Sequence, residues 1–123
     1  MATTSAADIP GMWELIHGEM GGQWSTNPNV VLVIDREYRF EVLMDGLVQQ
    51  GGRISYNRWS GRILFTDQAG SDFAGLADVS HQVMAYAVAL PGTIPPLTWA
   101  NAKAANVVLN VYLRVGTRSQ ANG

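Results

Sequence analysis

Tyr38-Arg39-Phe40-Glu41-Val42-Leu43-Met44-Asp45-Gly46 is the stretch on which the fold turns. Tyr38, Phe40, Val42 and Met44 fall on one side of an extended chain, and Arg39 and Glu41 fall on the other. Strand pleating imposes this period of two. Asp45-Gly46 then supplies a two-residue hairpin signal, because both central residues of a type I′ turn take positive φ. The stretch predicts a strand with one apolar face and one solvated face, doubling straight back on itself.

The same grammar extends in both directions. Toward the N-terminus lie the apolar run Val30–Ile34, stopped by Asp35-Arg36, and an earlier strand, Met12–His17. Between them, Gly18 to Asn29 holds three glycines and Pro28 and is expected to be a flexible loop. Residues 1–10 suggest a short helical turn around Ser5 to Ile9, ended near Pro10. Toward the C-terminus, Leu47–Tyr56 forms the next strand, with Gly51-Gly52 marking a bulge or the coiling of a small barrel. Arg62–Thr66 follows. Phe73–Val79 reads as a short strand or one helical turn. Gln82–Leu90 places Met84, Tyr86, Val88 and Leu90 on one face. Ala85, Ala87 and Ala89 lie opposite, suited to close packing or to an open cavity. After Pro91-Gly92 and Pro95-Pro96 the chain resumes at Leu97–Ala100, and Asn106–Val115 is the last strand. Residues 116–123 form a polar tail expected to fray.

Turn-formers every 8–12 residues and no βαβ period predict an all-β chain. The expected architecture is a small antiparallel up-and-down barrel of about eight strands, residues 1–123 forming one domain. Eight basic and ten acidic residues leave a net charge of −2. That excludes the basic face a nucleic-acid binder needs. Only 15% of residues are charged and 47% are hydrophobic, against about 25% charged in ordinary soluble domains. Apolar residues beyond the needs of a core predict a homodimer. No apolar run approaches the ~20 residues of a membrane helix, and the first residues carry no secretory signal. A cytoplasmic setting without a membrane partner is the expectation. There is no cysteine.

Phosphate-cradling, dinucleotide-binding and His-Glu-x-x-His motifs are absent. With only His17 and His81 as histidines, no metal site assembles from local spacing. No cofactor is expected.

Gly11-Met12-Trp13, opening the first strand after a short turn, resembles the Gly-x-Trp signature of lipocalins and the wider calycins. Arg114, in Tyr112-Leu113-Arg114-Val115, sits where that superfamily has an arginine on its last strand. Trp13-Glu14-Leu15, Gly18-Glu19, Tyr38-Arg39-Phe40 and Gly51-Gly52 follow the order of small bacterial lipocalin-like domains. The resemblance implies that Arg114 packs across Trp13 by cation–π attraction and closes the barrel floor.

An eight-stranded barrel leaves room for packed side chains or one small ligand. The expected function is binding of a small, largely apolar molecule in that cavity. The resemblance also admits a cofactor-independent cyclase or isomerase of bacterial secondary metabolism, working on a flexible apolar substrate by proximity and orientation. A third possibility is a structural subunit whose barrel is filled. His17 shares parity with Trp13 and Leu15, which would turn it inward as a hydrogen-bonding group or general base. Tyr86 joins it as the second catalytic candidate. Trp24, Trp59 and Trp99 lie in or beside loops and could gather at one rim as a lid. The remaining ligand-facing candidates are Leu15, Phe40, Val42, Tyr56, Phe65, Met84 and Tyr112. Glu41, with Arg39, is assigned to the solvated outer face.

Overall fold

Alternation and turn chemistry lay down nine strands in the computed structural model, which describes residues 9–25 and 29–115. They are β1 (Gly11–Met20), β2 (Gln23–Ser25), β3 (Val30–Ile34), β4 (Arg39–Met44), β5 (Leu47–Asn57), β6 (Arg62–Asp67), β7 (Asp72–Val79), β8 (Val83–Ala89) and β9 (Val107–Arg114). All neighbours are antiparallel. The order runs β1-β3-β4-β5-β6-β7-β8-β9, and β9 pairs back onto β1. The result is a closed eight-stranded barrel. The extra strand, β2, forms a hairpin on the far end of β1, pairing Gly18–Met20 with Gln23–Ser25. Among the described residues no helix is long and apolar enough to cross a membrane.

The Asp45-Gly46 turn takes the expected conformation, with φ of 54° and 82°. Phe40, Val42 and Met44 point inward from β4, and Arg39 and Glu41 are exposed outside. Trp13, Leu32, Phe40, Ile54, Phe65, Met84 and Tyr112 belong to one continuous buried core. Phe73–Val79 resolves to a strand.

The alanines of β8 take the close-packing option. Ala87 and Ala89 are buried although they point outward, because the segment 90–106 folds across them. Ala87 packs with Ala102 and Val107 beneath this cover. Only small side chains let the connection lie so near the sheet.

Three expectations about local structure need correction, and one left open between two alternatives is decided. Strand β1 runs on through Glu19 and Met20, so Gly18–Ser25 of the supposed glycine-rich loop is a hairpin turned at Gly21-Gly22. Tyr38 precedes its strand in a left-handed conformation, φ 63°. There the Asp35 carboxylate accepts hydrogen bonds from the Glu37 and Arg39 amides and fixes the turn. Leu97–Ala100 is no strand; a 3₁₀ turn, Trp99–Asn101, stands there. The register slip in β5 falls between Val42 and Leu43, opposite Gln49, rather than at the glycine pair. Gly52 serves coiling instead, since a Cβ there would lie 1.9 Å from the Thr66 carbonyl oxygen. Ser5 to Asp8 of the expected helical turn, and the tail 116–123, lie outside the described residues.

Candidate functional site

One end of the barrel is sealed by Trp13 and Arg114, which are cross-strand partners of β1 and β9. The guanidinium carbon lies 4.2 Å from the centroid of the Trp13 ring. Trp13 is fully buried and its Nε1–H donates to the Ile9 carbonyl at 3.0 Å. Arg114 Nη1 donates to Pro10 O at 2.9 Å and Nε to His81 O at 2.7 Å. These bonds fix the plug to both chain segments and to the β7–β8 turn.

Above this floor, toward the β4–β5 and β6–β7 hairpins, lies a cavity of about 230 Å³. Phe40, Val42 and Gln50 line it from β4 and β5, and Phe65 and Phe73 from β6 and β7. Tyr86, Val88 and Leu90 come from β8 and its end, Val108 and Asn110 from β9, and Met20 from the tip of β1. The lining is apolar and aromatic apart from one phenol and two amides. Phe65 stands edge-on to Phe40, with centroids 5.3 Å apart, and lies 4.8 Å from the Tyr86 ring.

Of the residues named from the sequence, Phe40, Val42, Phe65 and Tyr86 line this cavity. Leu15, Tyr56, Met84 and Tyr112 belong to the core around and beneath it. Burial raises the Tyr56 phenol above its usual pKa.

His17 is on the outer wall. The β1–β9 register slips between Leu15 and His17, leaving Ile16 as an extra residue. An unpaired residue shifts the alternation by one. Leu15 therefore points in beside Tyr112, His17 points out beside Val111, and Gly18 and Met20 turn inward with Asn110 and Val108.

The three loop tryptophans form no lid. Trp24 lies on the outer face against His17, with ring centroids 5.6 Å apart. Trp59 is 85% exposed in the β5–β6 turn at the floor end, where Arg58 stacks on it at 5.1 Å. Trp99 is exposed in the 3₁₀ turn over β8. Trp59 stands at the floor end while Trp24 and Trp99 belong to connections at the other end, and Trp24 lies on the outer face, so the three indoles share no rim.

The polar part of the cavity is compact. Tyr86 Oη and Tyr112 Oη are 2.9 Å apart. Asn110 Nδ2 donates to Tyr86 Oη at 3.1 Å and to Tyr112 Oη at 3.4 Å. Burial holds both phenols above their usual pKa, Tyr112 well above it, so both are neutral donors at ordinary pH. Asn110 was legible two residues before Tyr112 on the same strand face, and Val88 two after Tyr86. Met20 was hidden by the bulge.

Outside the barrel, Glu19 joins three elements. Its Oε2 accepts from His17 Nε2 at 2.6 Å and its Oε1 from Lys103 Nζ at 2.5 Å. Trp24 Nε1–H donates to His17 Nδ1, so both imidazole nitrogens are engaged. Lys103 foremost, then His17, hold the Glu19 carboxyl below the usual carboxylate range. A wider groove of about 590 Å³ on the outer wall runs past Asp35, Arg39, Glu41, Arg53 and Asp67. Its charges alternate in sign and Arg39 is already paired with Asp35 and Glu37. Among the described residues, no group of three His, Asp or Glu side chains could hold a metal. Comparison with known proteins finds no family model, no curated protein and no solved structure that matches this chain.

Proposed function

We propose that the barrel binds a small, largely apolar, uncharged molecule in the cavity above the Trp13–Arg114 floor. The observation that carries this reading is an apolar hollow of about 230 Å³ kept open inside a closed barrel. An engineered apolar cavity of about 150 Å³ takes up benzene, so this one suits a guest of about ten non-hydrogen atoms. The floor geometry of Gly11, Trp13 and Arg114 supports the lipocalin-like assignment.

Binding stands first because it asks only for the hollow itself; the cyclase or isomerase alternative would act in the same hollow by proximity and orientation, with Tyr86 in its wall. Among the described residues lining the cavity there is no carboxylate, imidazole or amine, and His17 lies outside. A homodimer in the cytoplasm belongs to the same reading. The support for the dimer is the apolar outer wall, where Leu113 pairs with Val83 on β8 and Ile16 protrudes from β1, exposed by 41%, 37% and 51%.

Naphthalene, a fluorescent probe of ten carbons, tests the cavity directly. It should bind saturably at one site per chain, and Val108→Phe, which fills the hollow from β9, should weaken it at least tenfold. No saturable binding to the wild-type protein, of naphthalene or of an oxygen-bearing bicycle of its size, would remove the proposal.

A further inference from the structure

The cavity's hydrogen bonds do not all close on themselves, and what is left over specifies a ligand class. Tyr112 is 1% exposed and does not line the hollow, whereas Tyr86 does. If Tyr86 donated to Tyr112, the Tyr112 proton would be buried without an acceptor, which costs about 1–3 kcal/mol. Tyr112 therefore donates to Tyr86, and the Tyr86 hydroxyl proton turns into the cavity. Asn110 spends its Nδ2 protons on the two phenols. Its carbonyl oxygen has no protein partner, yet the described residues contain no sealed, unpartnered side-chain oxygen. That oxygen is therefore open, and Asn110 is one of the residues that line the cavity.

One donor and one acceptor thus stand side by side in an otherwise apolar chamber. Asn110 and Tyr86 are directly paired across β9 and β8, and their side chains are hydrogen-bonded, so the two free functions are within reach of a single atom. A ligand hydroxyl satisfies both: it accepts from Tyr86 O–H and donates to Asn110 Oδ1. A ketone or ether answers only the phenol. A hydrocarbon answers neither, and a buried polar group left without its partner weakens binding. A carboxylate would lose its water with no cation in the lining to replace it.

Resting on the cavity-binding reading above, we infer that the natural ligand is a compact apolar alcohol, its hydroxyl held between Tyr86 and Asn110. The test compares four probes of one skeleton, indane, 1-indanone, 1-indanol and indane-1-carboxylate, by isothermal titration at neutral pH. The alcohol should bind at least tenfold tighter than indane and at least threefold tighter than the ketone, and the carboxylate weakest. In Tyr86→Phe the alcohol-to-indane ratio should fall below threefold. Asn110→Leu should abolish the alcohol's advantage over the ketone. Because each readout is a ratio within one protein, a general loss of stability does not imitate it. If one variant fails to fold, the wild-type ranking and the other variant still decide. Indane and indanol binding alike, the ketone matching the alcohol, or the carboxylate binding best would overturn the alcohol assignment while leaving the cavity reading in place. Failure of all four probes and of naphthalene would remove both.

Discussion

At Gly11 a side chain has nowhere to go. Its φ is +140°, and an added Cβ would lie 2.6 Å from Arg114 Nη1. The spacing Gly11-Met12-Trp13 thus has a physical reason: the indole two residues on needs a guanidinium across it, and that guanidinium needs the glycine's empty side. Gly11→Ala should cost about 1–3 kcal/mol through backbone strain and displacement of Arg114, read from the urea midpoint. This corner was legible because all three residues sit in short, recognisable contexts. Lys103 was not, since 84 residues separate it from Glu19 and nothing in its neighbourhood marks a partner. The sign of their contact is nevertheless set. Glu19 titrates below the ordinary glutamate value of about 4.5 when folded, so the pairing stabilises above that pH and is lost as the carboxylate protonates below it. Lys103→Met should lower the melting temperature at pH 7, and the difference from wild type should shrink steadily as the pH falls below the ordinary glutamate value and Glu19 protonates.

Among the elements, β3 and β1 show what alternation can and cannot tell. Val30–Ile34 emerges with the expected bounds because every residue in it is paired with β4. In β1 one unpaired residue, Ile16, reverses the side on which His17, Glu19 and Met20 emerge. No glycine or proline announces it, so parity counting carried His17 to the wrong face. The bulge makes deletions unequal. Removing Ile16 leaves every β1–β9 partner in place and should cost no more than roughly 1 kcal/mol. Removing Val31 from β3, where no residue is spare, turns one side of the strand inside out. That variant should lose its cooperative urea transition.

For the molecule as a whole, the closed all-β architecture could be read from turn spacing, but the cover over β8 could not. The segment 90–106 has no periodicity, and three alanines suit a cavity and a tight roof equally well. Its position was decided by contact between Ala87, Ala102 and Val107, which only the folded chain creates. The outer wall it leaves bare is the face proposed above for a second copy. A Leu113→Glu substitution, placing a charge opposite Val83, should convert a dimer to a monomer in sedimentation velocity. A wild-type protein that is monomeric at tens of micromolar would dismiss that interface.

The floor also brings residues near the two ends of the chain together. Val115 N–H donates to Met12 O at 2.8 Å. A cylinder made by one wandering chain has a single seam joined across nearly its full contour, and that closure bears the largest entropic penalty. Contacts along β1 and β9 should therefore form late, so Val111→Ala should accelerate unfolding and barely slow refolding in stopped-flow experiments. Joining the ends and cutting between Asp45 and Gly46 would not abolish the seam. It would relocate it to β4 and β5, and kinetic sensitivity should migrate there with it.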